Sequence, residues 1–488
     1  MQRTFNIAIS IGLLGSWLGA PFEATGQLIE AVKSENHTQT RSLIELGADV
    51  LTIEADGTTA LHWAAYNDDL VSAELLVGAG ANVTAANRYS VRPISLAALN
   101  GSASMVRLLL EAGADPNAWQ GTRETVLMTA ARSGELGTVR ALLAAGADVN
   151  AAEDWKGQTA LMWAAAEGHG EVVSMLIEHG ADVNLRSRRG YSAVLFGGRQ
   201  GHVEVVEILL DAGAPLDDAI PLERRTDAGG TSAEAAPTGI DLFLIATGNA
   251  HYELAAMLLD RGVDPDVAPR GWTALHQLSW VRKAGVAGSN NPAPVGSGTM
   301  TSLEFARQLV AHGADVNGRV TVRPPAGITR LDFVGGTPFL LAARTADAEY
   351  MRLLAELGAD PLLGNRNNST PLMVAAGLGT ASPGEDPGTE SEVLEAVQVA
   401  LELGGDVDAV DNQGETAMHG AAYKHGPSVV RLLYEAGADI TVWNRTNERG
   451  WRPLDIVEGG IHIGMNILSS PETAEVIKEI MRGEGIAH

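Results

Sequence analysis

Eleven times along this 488-residue chain an apolar run breaks at a glycine, usually followed by Ala and then Asp or Asn. Gly47, Gly80, Gly113 and Gly146 lie 33 residues apart, Gly180 follows after 34 and Gly213 after 33, and Gly437 lies 33 beyond Gly404. A fixed period in this range marks stacked supersecondary units, each burying its apolar face only against its neighbours. It also accounts for the length, since 488 residues exceed what one closed core holds. Such a stack presents a long surface suited to binding.

The cleanest repeat runs from Gly157 to Arg189. Gly157-Gln158-Thr159-Ala160-Leu161-Met162 opens a first helix, Gly168-His169 breaks it, and Glu171 to Ile177 carries apolar residues at helical spacing. Gly180 supplies a left-handed C-cap. Asp182-Val183-Asn184 then leads to an extended, Arg-rich tip before Gly190. This pattern resembles the ankyrin repeat, a β-turn finger followed by two antiparallel helices. The family's Thr-Pro-Leu-His-type signature stands here as Thr59-Ala60-Leu61-His62, Thr273-Ala274-Leu275-His276 and Thr416-Ala417-Met418-His419, and in other forms at Thr337-Pro338 and Thr370-Pro371. The resemblance covers about residues 26–488 in register, as twelve repeats. It implies an all-α solenoid with short hairpin fingers, and a binding function. The first repeat (about 26–56) and the last (about 450–488, ending in a polar helix from Pro471 to Arg482) read as caps.

The period then breaks. Gly213 to Gly262 is 49 residues, and the next three intervals are 51, 45 and 46. The extra residues fall at 214–238, 283–301, 318–335 and 377–390, all rich in Pro, Gly and Ser, which suits loops. Insertions in solenoids map to loops, often on the binding face. The chain therefore divides into a leader at 1–24, regular repeats at 25–213, repeats with insertions at 214–413, and closing repeats with a cap at 414–488.

The leader reading rests on Arg3, an apolar stretch from Phe5 to Leu18, and small residues around Ala20, the layout of a secretory signal. Cleavage after Ala24 is the expectation, with a periplasmic or extracellular destination; a cytoplasmic chain with an N-terminal capping helix is the alternative. No later segment has the ~20 apolar residues of a membrane span. Cysteine is absent, which excludes disulfides and thiolate metal sites. The net charge of −26 disfavours nucleic acid, whose phosphates need clustered Lys and Arg. Part of that charge has a local cause: Asp49, Asp115, Asp148, Asp182, Asp315, Asp360 and Asp439 occupy one recurring turn, where a carboxylate can accept nearby backbone N–H groups.

In a stack of the ankyrin type, the position after the first helix's Ala-Ala pair and the finger tips face the groove. Here these are Tyr66, Leu99, Arg132, Ala166, Arg199, Trp280, Arg344 and Tyr423, with Arg88, Tyr89, Trp155, Lys156, Arg188, Arg189, Arg270 and Trp272 on the tips. Tyr, Trp and Arg carry most binding energy at interfaces. Arg132, Lys156, Arg188, Arg189 and Arg199 form a basic stretch in an acidic chain, which points to a protein partner with an acidic surface. The competing reading has each Arg neutralising its own acidic neighbours, such as Asp154.

His62, His276 and His419 recur at one repeat position, which argues for bonds to neighbouring fingers rather than catalysis. Trp63 and Trp163, one position on, read as core. The sequence holds no His-Glu-x-x-His zinc pair, nucleophile elbow or phosphate loop. The expectation is a binding scaffold with no catalytic, cofactor or metal residues. Two alternatives stay open: a regulatory or assembly subunit of an exported enzyme, docking through the insertions, and a catalytic solenoid built under them from residues such as His251, Trp280 or Asp332.

Overall fold

A computed structural model describes residues 20–220, 241–283, 293–322, 329–381, 383, 387–459, 461–463 and 466–486. Residues 1–19 of the expected leader, and 221–238 of the first insertion, lie outside them. The described residues form twelve helix pairs in two units that meet at Asp182/Val183.

The N-terminal unit holds five pairs: α1 (Ala20–Lys33) with α2 (His37–Glu45), α3 (Ala60–Tyr66) with α4 (Leu70–Gly78), α5 (Pro93–Leu99) with α6 (Ala103–Glu111), α7 (Val126–Ser133) with α8 (Leu136–Ala144), and α9 (Ala160–Glu167) with α10 (Gly170–Glu178). First helices pack on first helices and second on second. The 33-residue period fixes which side chains meet: Leu76, Leu109, Leu142 and Leu176 are all fully buried. Burial of each contributes roughly 1.5–3 kcal/mol. The fingers are minimal hairpins, with β1 (Trp119–Gln120) antiparallel to β2 (Glu124–Thr125) and single bridges joining Ile53 to Thr59 and Ala152 to Thr159.

Local chemistry sets both helix ends. Thr59, Thr125 and Thr159 are N-caps whose hydroxyls accept the N–H three residues on, worth about 1 kcal/mol each. At the far end of α8, Gly146 takes φ +87°, Gly146 N–H donates to Leu143 and Ala147 N–H to Leu142. This crossed pair of bonds needs a left-handed residue, hence the recurring glycine.

The C-terminal unit holds seven pairs. They are α11 (Ala193–Gln200) with α12 (Val203–Asp211), α13 (Leu242–Gly248) with α14 (Tyr252–Asp260), α15 (Ala274–Val281) with α16 (Ser302–Ala311), and α17 (Pro338–Arg344) with α18 (Ala348–Glu356). Next come α19 (Pro371–Ala375) with α20 (Glu390–Glu402) and α21 (Ala417–Lys424) with α22 (Pro427–Glu435). A short α23 (Ile440–Trp443) precedes the last pair, α24 (Pro453–Val457) with α25 (Pro471–Gly483). Between α24 and α25 runs an unforeseen hairpin, β3 (Ile461–Ile463) antiparallel to β4 (Asn466–Leu468). The helix expected to be a polar cap, α25, in fact buries Ala474, Val476, Ile477, Ile480 and Met481 and packs on α22 and α24.

The described parts of the insertions run back over the unit's own repeats. Ser297 donates its N–H to Nδ1 of His251 (3.0 Å), and its hydroxyl bonds the carbonyl of Gly201 (3.2 Å). Glu253 accepts the N–H of Thr299 and of Met300. The 318–335 insertion reaches further: the Thr329 hydroxyl and the Arg330 N–H both donate to the carbonyl of Gly379. Its Val320, Leu331 and Phe333 pack into one cluster with Trp272, Leu340, Leu341 and Val374, with Trp280 against it.

Candidate partner-binding site

The recurring turn builds the frame on which the tips are carried. Asp49, Asp115, Asp148, Asp315, Asp360 and Asp439 each accept the N–H two residues on, as their position implied. The structure adds a ladder that the spacing did not reveal. Asn117 accepts the N–H of Asp148 (2.7 Å) and donates to the carbonyl of Gly146, and Asn150 treats Asp182 and Gly180 alike. Asn317 does the same to Asp360 and Gly358. The Asn two residues after Gly-Ala-Asp in each of these three turns was the available signal.

The signature histidines lock fingers to helices. Nδ1 of His62 accepts the Thr59 N–H, and Nε2 donates to the carbonyl of Val91 in the next finger (3.0 Å). His276 reaches Gly318 and His419 reaches Trp451 by the same geometry. Burial pushes all three imidazoles below the ordinary histidine range, His276 and His419 down to about 4. Backbone bonds also join successive tips: Arg88 N–H to Asp56, Asp154 N–H to Thr122, Arg366 N–H to Val334 and Glu448 N–H to Gln413.

On this frame the N-terminal unit presents a row of exposed and half-buried aromatic rings, most of them held by a cation. Tyr66, 57% exposed, sits edge-on to Trp63. Lys33 lies 4.8 Å over the Trp63 ring, and the indole N–H donates to Glu54 (2.7 Å). Bonds from Glu54, then Glu30, raise the Lys33 ammonium above its ordinary value. Tyr89, 59% exposed, stacks with Arg88. Trp119 is flanked by Arg92 and Arg123. Arg132 lies 5.2 Å over Trp163 and pairs with Glu124 (3.1 Å). Trp155, 70% exposed, carries Lys156 at 4.8 Å. Cation–ring pairs of this kind hold large flat surfaces rigid, at about 0.5–1 kcal/mol each where exposed.

Several sequence expectations change here. Trp63 and Trp163 are half-buried surface rings under cations, not core. Lys33, Arg92, Trp119 and Arg123 belong to the row and were missed; a Trp within reach of two arginines in the third finger was the signal. Tyr66, Arg88, Tyr89, Trp155 and Lys156 are exposed as expected, as is Leu99, and Arg132 is half-buried.

In the C-terminal unit Arg188, Arg189 and Arg199 are exposed and, among the described residues, form no ion pair with an acidic neighbour. The rest of the expected track is covered. Trp272 is only 9% exposed, edge-on to Trp280 within the cluster that the 318–335 insertion completes. Arg344 is buried and Arg270 half-buried. Tyr423, 1% exposed, lies under Arg330 and donates to Glu415 (2.7 Å). Residues of the insertion pack against Trp272, Trp280 and Tyr423, and Arg344 is buried, so these four do not stand open as the sequence implied, while Arg270 is half-buried.

The residues named for a catalytic alternative are held separately. His251 is bonded by Ser297 and the Arg199 carbonyl, and Asp332 by Arg366 and the Val334 N–H. Among the described residues no three His, Asp or Glu side chains are grouped to hold a metal. No described helix is long and apolar enough to cross a membrane.

Residues 28–120, 94–187 and 127–220 match the family described as "Ankyrin repeats (3 copies)", and residues 413–445 match "Ankyrin repeat". Among known proteins, the chain is similar to "Protein fem-1 homolog A" of Bos taurus (32% identical over 90 residues), of Homo sapiens (34% over 90) and of Danio rerio (31% over 97). These matches cover 18–20% of this chain and only 14–16% of the relatives' length. Recurring Thr-capped helix pairs, Gly-Ala-Asp turns, finger-bonded histidines and the family matches agree: this is an ankyrin-repeat protein, an all-α solenoid with hairpin fingers.

Proposed function

We propose that the protein is a non-catalytic protein–protein interaction scaffold that takes its partner on the finger-side face of residues 20–182. One observation carries the reading: the exposed aromatic row Tyr66, Tyr89, Trp119 and Trp155, in which Tyr89, Trp119 and Trp155 each carry a cation and Tyr66 sits edge-on to Trp63. Exposed Tyr and Trp held rigid lose little entropy on binding, and they are the residue types that dominate interface energetics. The accompanying Arg88, Arg123 and Lys156 favour a partner with an acidic surface over a nucleic acid. Export is part of the proposal, on the strength of the leader alone; a native N-terminus still beginning at Met1 would count against it. The rival in which the insertions dock on an enzyme loses support, because residues 297–300 and 329–333 are bonded to the chain's own repeats.

Affinity capture from the native source tests the binding face, using the intact chain, Tyr89→Ala/Trp155→Ala, and Arg188→Glu/Arg199→Glu. Loss of a stoichiometric partner with the first pair supports the proposed face. Equal recovery with the first pair removes it, and loss confined to the second moves the site to the C-terminal arginines.

A further inference from the structure

The insertion that covers the C-terminal unit's face ends in a charge arrangement that its own contacts leave open. Arg330 lies over the rings of Tyr423 (5.5 Å) and Trp451 (5.1 Å), and Arg449 reaches the same indole at 5.6 Å. Nη1 of Arg330 is buried and has no hydrogen-bond partner among the described residues. Among the described residues, the Arg449 guanidinium meets this ring and no carboxylate within ion-pair distance. Burial, and then the repulsion of Arg449, push Arg330 below the ordinary arginine range.

The carboxylates nearby are already engaged. Asp411 accepts the N–H of Gln413 and of Glu415 and the hydroxyl of Ser369. Glu415 accepts from Tyr423 and from Asn447, and burial pushes its carboxyl up. Asp332 holds Arg366 at 2.6 Å. Two cations therefore face a small, solvent-open cleft, lined also by Asp332, Asp411 and Glu415, whose acceptors are occupied. A half-buried guanidinium with an unmet N–H is costly unless an anion completes it, and the planar fork of arginine matches a carboxylate.

We infer that the cleft between Arg330 and Arg449 is a binding site for a carboxylate group, carried by a small organic acid or by an acidic peptide. It lies in the other unit from the proposed partner face, so either can fail without the other.

Titration calorimetry on the full chain tests this with three probes: malonate, an N-acetylated and C-amidated tetraglutamate peptide, and inorganic phosphate. The variants are Arg449→Ala and, as a control, Arg431→Ala, an exposed arginine paired with Glu479. Near-UV circular dichroism confirms that each is folded. The expected result is saturable binding of malonate or the peptide at millimolar concentration or below, weakened at least tenfold by Arg449→Ala and unchanged by Arg431→Ala. Tighter binding of malonate identifies a small acid, and tighter binding of the peptide identifies a polypeptide carboxylate. No saturable carboxylate binding, equal binding by Arg449→Ala, or stronger binding of phosphate than of either carboxylate overturns the inference.

Discussion

His276 and Gly318 are 42 residues apart in sequence and joined in space by a 3.1 Å hydrogen bond from Nε2 of the imidazole to the glycine carbonyl, with the Gly336 carbonyl 3.3 Å from the same nitrogen. Nδ1 accepts the N–H of Thr273 (3.2 Å). The ring must therefore be neutral, with its proton on Nε2. A protonated ring would lose the Thr273 bond and place a charge in a fully buried site.

This predicts a stability that depends on pH. The folded-state pKa of His276 and His419 lies at about 4, below the ordinary 6.5. The unfolded chain therefore binds more protons between those limits. Stability is complete above about pH 6.5 and is lost as pH falls towards 4. At pH 5 each ring costs about 2 kcal/mol relative to pH 7.5. The urea midpoint of the full chain should fall over that range. His276→Gln should be weaker at pH 7.5 and show a shallower decline. Parallel pH curves for the two proteins would show that the ring does not couple to folding.

The turn ladder gives a smaller and local effect. Asn150→Ala removes the bonds to Gly180 (3.0 Å) and Asp182 (2.9 Å) at exposed positions that water can reach. The expected cost is about 1 kcal/mol. Asn150→Asp keeps the acceptor and should lose less, since Asp266 and Asp408 already accept the N–H of Asp315 and Asp439 in the same way. Chemical denaturation of the three proteins ranks them. Asn150→Ala equal to the intact chain would mean that water replaces the rung without loss.

The repeat itself was open to reading because its determinants are local. Thr59, His62, the turn aspartates and the glycine after each second helix act within a few residues or one period, so spacing alone placed them. The covered half of the track was hidden for the opposite reason. Arg330 reaches Tyr423 and Trp451 by long-range packing, and Thr329 meets Gly379 across 50 residues of chain. No periodic rule encodes where an insertion lands. Trp63 and Trp163 misled because an apolar ring at helical spacing resembles core until the cation above it is seen.

Two finger tryptophans that look alike in sequence should therefore behave oppositely. Trp272→Ala opens a cavity among Val320, Leu331 and Phe333 and should cost about 3–5 kcal/mol. Trp155→Ala removes a ring that is 70% exposed and should change stability by less than about 0.5 kcal/mol. Thermal unfolding of both variants checks this. Similar losses would mean that Trp155 is packed as Trp272 is.

Glycine at 298 is tested by a similar contrast. Its φ is +87°, and a Cβ there would lie 1.2 Å from a carboxylate oxygen of Glu253. That carboxylate accepts the N–H of Thr299 (2.6 Å) and of Met300 (3.2 Å), which hold it below its ordinary pKa. Gly298→Ala must displace Glu253, and the bonds that tie residues 297–300 to the sixth and seventh repeats go with it. Gly262 has φ +95° and open space around it, so Gly262→Ala meets only the left-handed backbone penalty, about 1 kcal/mol. Hydrogen exchange should show the amides of Ser297, Thr299 and Met300 losing protection in Gly298→Ala and keeping it in Gly262→Ala. Protection unchanged in both would mean that Ser297 with His251, rather than Glu253, holds this insertion to its repeats.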